Sequence, residues 1–94
     1  MVHSVRYSAR ALAALEHIDQ YLMERSPGGA ANVFADIKRS IDLLAAFPLM
    51  GSAITELDLR YHLTRRYRYR IVYRVTETTT EIRDVLHPRQ QGPG

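Results

Sequence analysis

Hydrophobic and polar residues alternate with a period of two along the stretch from Leu59 to Val75, and this period is typical of β-strands. The alternation predicts two strands, one that begins at Leu59 and one that ends at Val75, each with an apolar face and a cationic face. In neighbouring strands the basic side chains would lie together on one side of a sheet: Arg60, His62, Arg66, Arg68, Arg70 and Arg74. The mutual repulsion of such a cluster destabilises the free protein and therefore indicates an anionic partner.

A period of three to four residues predicts two helices upstream. After a short β-leaning segment from His3 to Tyr7, Ser8 is a good N-cap for the first helix. The apolar stripe of this helix comprises Ala11, Leu12, Leu15, Ile18 and Leu22. The run Ser-Pro-Gly-Gly at 26–29 ends it, and a second helix is expected from near Ala30 to Phe47, because Pro48 disfavours the helical conformation of its predecessor. The stripe of the second helix comprises Val33, Phe34, Ile37, Ile41 and Leu44.

After a polar reversal at 76–80, the C-terminal part predicts a last strand from Glu81 to His87. Asp84 lies on one face of this strand and Arg83 on the other, so burial of either face buries a charge. Either Asp84 pairs with an arginine from a neighbouring strand, or a bulge shifts the register near Val85. The complete pattern predicts an α+β fold: an N-terminal strand, an antiparallel helical hairpin and a three-stranded antiparallel meander. We expect one domain over residues 1–89 and a flexible tail at 90–94.

Composition narrows the function classes. The chain has 94 residues, a formal net charge of +3 and no cysteine, which excludes disulfides, thiolate zinc sites and cysteine nucleophiles. No two of its four histidines have a ligand-like helical spacing, so we expect neither a metal site nor a cofactor. The N-terminus lacks a signal-type apolar segment, and no apolar run is long enough to span a bilayer. We therefore expect a cytoplasmic protein that does not engage membranes.

Several short motifs occur in the same order as the predicted elements: Tyr7-Ser8, Pro48-x-x-Gly51, Leu59-Arg60, the strand Tyr69–Val75 and Val85-Leu86-His87-x-Arg89. In this order and spacing they resemble the toxins of the RelE/ParE superfamily of type II toxin–antitoxin systems. The resemblance covers nearly the whole chain. It implies a small antiparallel sheet that clasps a helical hairpin, and a cognate antitoxin that is ParD-like or another small acidic protein.

The resemblance leaves two targets open. Relatives like RelE cleave messenger RNA in the ribosome, and in this chain the residues of that reaction would be Arg70, His87 and Arg89. Where those nucleases carry lysines, however, this chain has Tyr61-His62-Leu63, and no tyrosine follows Arg89. The ending resembles ParE, whose members bind and poison DNA gyrase. We therefore expect gyrase inhibition without catalysis, with a ribosome-dependent mRNA endoribonuclease as the alternative and an antitoxin-binding member without toxicity as a third possibility.

The expected target-binding residues are Arg60, Arg70, Arg74, His87 and Arg89, and two of them, Arg70 and Arg89, match family positions. The resemblance also implies that an amphipathic antitoxin helix docks on Leu12, Leu15 and Leu22.

Further expectations concern the burial of tyrosines and helix acids and the turn between the two strands. Tyr61, Tyr69 and Tyr73 share a face with apolar residues and are expected in the core, whereas Glu16, Asp19 and Asp36 on the helices are expected to face solvent. The turn at 65–68 contains no Gly, Asn or Asp, so the sequence does not define its geometry.

Overall fold

The computed structural model describes residues 2–90. Its strands are β1 (Ser4–Tyr7), β2 (Ser52–Ile54), β3 (Leu59–Leu63), β4 (Arg70–Val75) and β5 (Thr79–Leu86), its helices are α1 (Ala9–Arg25) and α2 (Pro27–Ala46), and two 3-10 turns span Pro48–Met50 and Pro88–Gln90. The predicted α+β order is confirmed, and β2 is a short addition that the pattern did not reveal. Residues 91–94 of the expected tail lie outside the described residues, and Gln90 belongs to the second 3-10 turn.

The five strands form one mixed sheet in the order β1-β5-β4-β3-β2. The neighbours from β2 to β5 pair antiparallel, as expected for a meander, whereas β1 runs parallel to β5. The core lies between the helical hairpin and one face of this sheet, so the opposite face has no helix over it. We call that opposite face the open face. Within residues 2–90, neither helix combines the length and the apolar character that a bilayer crossing requires.

Two serines define the ends of the helices. The Ser8 Oγ accepts a hydrogen bond from the Ala11 N–H at 3.1 Å and caps α1, as predicted. Ser26 ends α1, because its N–H donates to the Leu22 carbonyl at 2.7 Å. The same residue begins α2, because its Oγ accepts the Gly29 N–H at 3.1 Å. The second helix therefore starts at Pro27, three residues earlier than predicted, since proline is well suited to the first position of a helix.

The predicted helical stripes form most of the core. Eleven residues make up its buried cluster: Ala11, Ile18, Val33, Ile37, Ile41, Leu44, Tyr69, Ile71, Tyr73, Ile82 and Val85. Leu15 and Leu22 pack against this cluster and are partly buried. Leu12 is an exception to the predicted stripe, because its side chain is 55% exposed. The expectation that Tyr69 and Tyr73 lie in the core is confirmed, at 3% and 0% exposure.

A bulge resolves the conflict of charges in the last strand. Val72 lies opposite Asp84 and Tyr73 lies opposite Ile82, so Arg83 is an extra residue without a partner in the ladder. The extra residue allows Ile82 and Val85, three positions apart, to reach the same core. Of the two alternatives for this strand, the structure shows the bulge, at Arg83. Asp84 also forms an ion pair, at 3.1 Å, but its partner is Arg10 of α1 and not an arginine of a neighbouring strand.

The register of β3 against β4 contradicts the prediction of one cationic face. Residues directly opposite each other in an antiparallel pair have side chains on the same side of the sheet. Arg60 lies opposite the buried Tyr73, and His62 lies opposite the buried Ile71, so both basic residues are on the helix-covered side. Leu63 lies opposite Arg70 and Tyr61 opposite Val72, so these four side chains are on the open face. The expectation that Tyr61 belongs to the core is therefore wrong.

The turn between β3 and β4 sets this register, and Asp36 of α2 holds it. The Asp36 carboxylate accepts the Tyr67 N–H at 2.8 Å and the Arg66 N–H at 3.3 Å. Arg68 takes a positive φ of 61°, a backbone conformation that glycine adopts more readily but that falls to an arginine in this turn. The expectation that Asp36 faces solvent is wrong, because it is only 3% exposed. Backbone donors in a turn leave no trace in a hydrophobicity pattern, which is why the sequence did not reveal this contact.

Candidate functional site

Arg70 is the central cation of the open face. It begins β4, and its guanidinium carbon lies 4.5 Å from the centre of the Tyr61 ring, within the range of a cation–π interaction. Leu63 and Leu86 lie directly opposite Arg70 on the two neighbouring strands. Among residues 2–90, the Arg70 Nε is buried and has no hydrogen-bond acceptor. The Tyr61 ring and two leucines therefore flank this cation, and no carboxylate of the described residues forms an ion pair with it.

Arg74 is a second cation on the same face. It lies four residues further along β4, about 13 Å away at roughly 3.3 Å per residue. Its Nε is 4.0 Å from a carboxylate oxygen of Asp58, which is 93% exposed, so the pair contributes little in water. Glu81 lies opposite Arg74, but its carboxylate pairs with Arg83 at 3.0 Å. Arg70 and Arg74 are thus two separated cations of the open face.

Arg60 supports the loop before β2. Its Nη1 donates to the carbonyl of Gly51 at 2.8 Å and to that of Leu49 at 3.3 Å. The hydroxyl of Tyr73, opposite Arg60 in the sheet, completes the clamp: it accepts the Gly51 N–H at 2.9 Å and donates to the Pro48 carbonyl at 2.8 Å. The guanidinium of Arg60 is therefore committed to backbone carbonyls on the helix-covered side of the sheet.

His87 follows β5 and lies on the helix-covered side. Its ring makes edge contacts with Tyr69 and Tyr21, at 5.2 and 6.1 Å between ring centres, and it lines a cavity of about 140 Å³ with His17, Ile18 and Tyr21. Its Nδ1 accepts the Arg89 N–H at 3.0 Å. Burial lowers the pKa of His87, and the nearby charge of Arg89 lowers it further. The neutral ring is thus favoured near pH 7.

The structure brings Arg70, His87 and Arg89 to one end of the sheet, because Arg70 lies opposite Leu86. It does not bring them to one face. The Arg70 guanidinium stacks on Tyr61 on the open face, whereas the His87 ring packs against α1 and the buried Tyr69. Arg89 is exposed on the last 3-10 turn. Within residues 2–90, this arrangement offers cations to an anionic surface and keeps the His87 ring away from Arg70.

Two features of the site were missed from the sequence, the position of Tyr61 under Arg70 and the anchoring role of Asp36. Both follow from the turn, whose geometry the sequence pattern does not define. Of the residues expected to bind an antitoxin, Leu12 is exposed, whereas Leu15 and Leu22 are partly buried. Across the part of the chain that the structure describes, no three His, Cys, Asp or Glu residues are grouped so that they could hold a metal ion.

Three solved structures with a similar fold come from toxin–antitoxin systems. The chromosomal ParDE system of Pseudomonas aeruginosa matches with a TM-score of 0.77 at 19% identity, over 92% of this chain and 96% of that one. The intact Escherichia coli RelBE complex matches with a TM-score of 0.66 at 18% identity, over 90% and 95% of the two chains. RelBE2 of Mycobacterium tuberculosis gives 0.64 at 24% identity, over 93% and 99%. At these identities the likeness concerns the fold alone.

Sequence comparisons identify the family. The protein Y4kP of Sinorhizobium fredii (strain NBRC 101917 / NGR234), named as a candidate toxin, is 34% identical over 89 residues, which are 95% of this chain and 92% of that protein. The family model for the ParE toxin of the type II toxin–antitoxin system parDE matches residues 5–92. That match extends from β1 past the end of β5. The chain therefore belongs to the ParE toxin family of type II toxin–antitoxin systems.

Proposed function

We propose that this toxin inhibits DNA gyrase by binding it, without catalysis of its own, and that a cognate antitoxin neutralises it. The observation that carries the proposal is the separation of Arg70 from His87 by the sheet. Cleavage of RNA by its own 2′-hydroxyl needs a base, an acid and cations around one phosphate. The two groups best suited to those tasks lie on opposite sides of the sheet, which favours a binding role over a ribonuclease centre.

The placement of the single lysine supports the same proposal. Lys38 lies on α2, where it is paired with Asp42 at 3.0 Å and exposed to solvent. The open face therefore has arginines but no lysine. Arginine recognises anionic groups by a rigid, permanently charged fork of donors. Arg70, Arg74 and Arg89 suit contact with an acidic protein surface or with DNA held by the enzyme.

The proposed target is tested with purified gyrase and by induction of the toxin alone in bacteria. We expect supercoiling by gyrase to fall as toxin is added, and induced cells to filament and to show DNA breaks and an SOS response. Cleavage sites in messenger RNA that map to positions set by its codons, with gyrase activity unchanged, would contradict this proposal. That outcome would favour the endoribonuclease activity, for which the fold shared with RelBE is the supporting observation.

Alanine variants test the proposed contacts. Arg70→Ala and Arg89→Ala should relieve toxicity and leave the melting temperature nearly unchanged, since neither side chain forms an ion pair with another described residue. Arg65→Ala is the matched control, because Arg65 is an exposed arginine in the β3–β4 turn. A large fall in melting temperature that accompanies the loss of toxicity would assign Arg70 or Arg89 to structure instead.

The proposed antitoxin contact is on the helical hairpin. Leu12 exposes 55% of its side chain on α1, which suits an amphipathic helix. An acidic segment that is disordered when free can fold on such a surface. The protein encoded beside this toxin should co-purify with it and restore growth. Leu12→Asp should weaken co-purification, whereas Leu57→Asp, at 59% exposure on the β2–β3 turn, should not. No co-purification and no restored growth would refute neutralisation by that partner.

A further inference from the structure

Two arginines of the sheet, Arg74 and Arg83, have an acidic partner within 4.0 Å, and among the described residues Arg70 has none. Arg74 lies 4.0 Å from Asp58, and Arg83 lies 3.0 Å from Glu81. Among the described residues, Arg70 has no ion pair, and its buried Nε has no hydrogen-bond acceptor, a lack that it shares with the Arg74 Nε. The Tyr61 ring occupies the place of a counter-ion, 4.5 Å from the guanidinium carbon. An aromatic ring attracts a cation without neutralising its charge.

The position of Tyr61 follows from the sheet register. Tyr61 lies opposite Val72, which makes it a diagonal neighbour of Arg70, a spacing that aromatic and long side chains can bridge. Leu63 and Leu86 flank Arg70 from the two adjacent strands. The arginine side chain is thus confined between aliphatic walls and rests on a ring. The terminal amino groups of the Arg70 guanidinium are therefore the groups that can contact an anion.

We infer that Tyr61 is a positioning residue, which holds the Arg70 guanidinium in the orientation that binds the toxin's target. This inference rests on the proposed role of Arg70 as a target contact. A carboxylate in the place of Tyr61 would orient Arg70 equally well but would compete with an anionic target. The tyrosine ring orders the side chain and leaves its charge available, so less side-chain entropy is lost on binding. Only the ring is needed for this role, and the hydroxyl is not.

A double-mutant cycle between Tyr61 and Arg70 tests the inference. The concentration of toxin that halves gyrase supercoiling should rise about fivefold for Tyr61→Leu, equivalent to about 1 kcal/mol at 1.4 kcal/mol per factor of ten. Tyr61→Phe should restore inhibition to within about twofold of wild type, because it keeps the ring. In an Arg70→Ala background, Tyr61→Leu should have no further effect. Arg66→Ala removes a guanidinium that lies 5.3 Å from the Tyr67 ring on the exposed turn and serves as the control.

Two readouts do not depend on gyrase. The same cycle is measured as growth inhibition in bacteria. In NMR spectra the Tyr61 ring should shift the Arg70 δ-protons upfield in wild type and in Tyr61→Phe but not in Tyr61→Leu. Tyr61→Met, which has similar reach but no ring, replaces Tyr61→Leu if the leucine variant melts much lower than wild type.

The outcomes separate this inference from the proposed target. Equal effects of Tyr61→Leu with and without Arg70 would assign Tyr61 to structure and overturn the inference. An unchanged half-inhibition concentration for Tyr61→Leu would also overturn it. So would Arg70 δ-protons that are not shifted upfield in wild type. A toxin that stops growth without affecting gyrase would refute the gyrase proposal, and the growth cycle would still decide the role of Tyr61. A wild-type protein inactive in both assays would overturn both.

Discussion

Replacement of Asp36 by alanine should destabilise the toxin far more than replacement of a solvent-exposed acidic residue on the same helix. The carboxylate accepts two backbone donors of the β3–β4 turn, at 2.8 and 3.3 Å. Hydrogen bonds to a charged group contribute about 1.5–3 kcal/mol each, and the longer bond should lie at or below the lower end. We therefore expect a loss of about 2–4 kcal/mol. A domain of this size has a total stability of roughly 5–14 kcal/mol, so Asp36→Ala removes a large part of it.

The assay is urea unfolding followed by circular dichroism, together with a thermal melt. The expected loss corresponds to a fall in melting temperature of about 10–20 °C for a domain of this size. Asp42→Ala is the matched control on the same helix, because Asp42 is exposed and paired only with Lys38. The control should cost at most about 0.5 kcal/mol. If the two variants lose the same stability, the buried carboxylate does not hold the turn.

The pH dependence gives an independent check on Asp36. Burial by itself raises the pKa of Asp36. Three hydrogen bonds lower it, from the Tyr67 backbone, the Thr64 side chain and the Arg66 backbone, and the charge of Arg39 lowers it further. Together these contacts outweigh burial and hold the pKa below 3.8. The unfolded chain therefore takes up the proton first as the pH falls. The advantage of wild type over Asp36→Asn should be complete above about pH 5 and should shrink below it. An advantage that is constant down to pH 2 would contradict this account.

Three further predictions concern two glycines, the Tyr73 hydroxyl and the His87 ring. Gly51→Ala should destabilise the fold by more than about 1 kcal/mol, because its Cβ would lie 2.6 Å from the Tyr61 carbonyl. Gly28→Ala, with nothing within 4 Å, should stabilise α2 by up to about 1 kcal/mol, and equal melting temperatures of the two variants would refute both statements. Tyr73→Phe should cost about 1–3 kcal/mol in urea unfolding, because it orphans the buried Gly51 N–H; a loss below about 0.5 kcal/mol would contradict this. Because the folded pKa of His87 is below 6.5, stability should fall as the pH drops from 7.5 to 5.5, and His87→Phe should flatten that fall; an unchanged slope would count against it.

The order of elements was predictable because each depends on local signals. Ser8 and Pro48 mark helix boundaries by their own chemistry, and the apolar periods of α1 and α2 are clear. The bulge in β5 was one of two alternatives that the sequence left open, because no face of that strand is free of charge. The short β2, three residues long, carries too little pattern to be recognised.

The side of the sheet on which each arginine lies was not predictable. The alternation from Leu59 to Val75 shows which residues of each strand share a face. It does not show which face of β3 lies on the same side of the sheet as the apolar face of β4, because a turn one residue longer or shorter moves every side chain of one strand to the other side. The match is decided by the Asp36 contacts and by the positive φ of Arg68. These non-local and conformational features put Arg60 on the helix-covered side and Arg70 on the open face. The candidate site therefore depends on a turn that the pattern left undefined.

The parallel pairing of β1 with β5 has a consequence for when the toxin becomes functional. Ser8, at the end of β1, donates its hydroxyl hydrogen to the carbonyl of Arg83, 75 residues later in the chain. At a synthesis rate of about 5–20 residues per second, these two residues are made roughly 4–15 seconds apart. During that interval the first strand has no partner, and Ile82 and Val85 of the core do not yet exist. The nascent toxin thus reaches its folded form only after β5 has been made, and until then the sheet that holds Arg70 and Arg74 is incomplete.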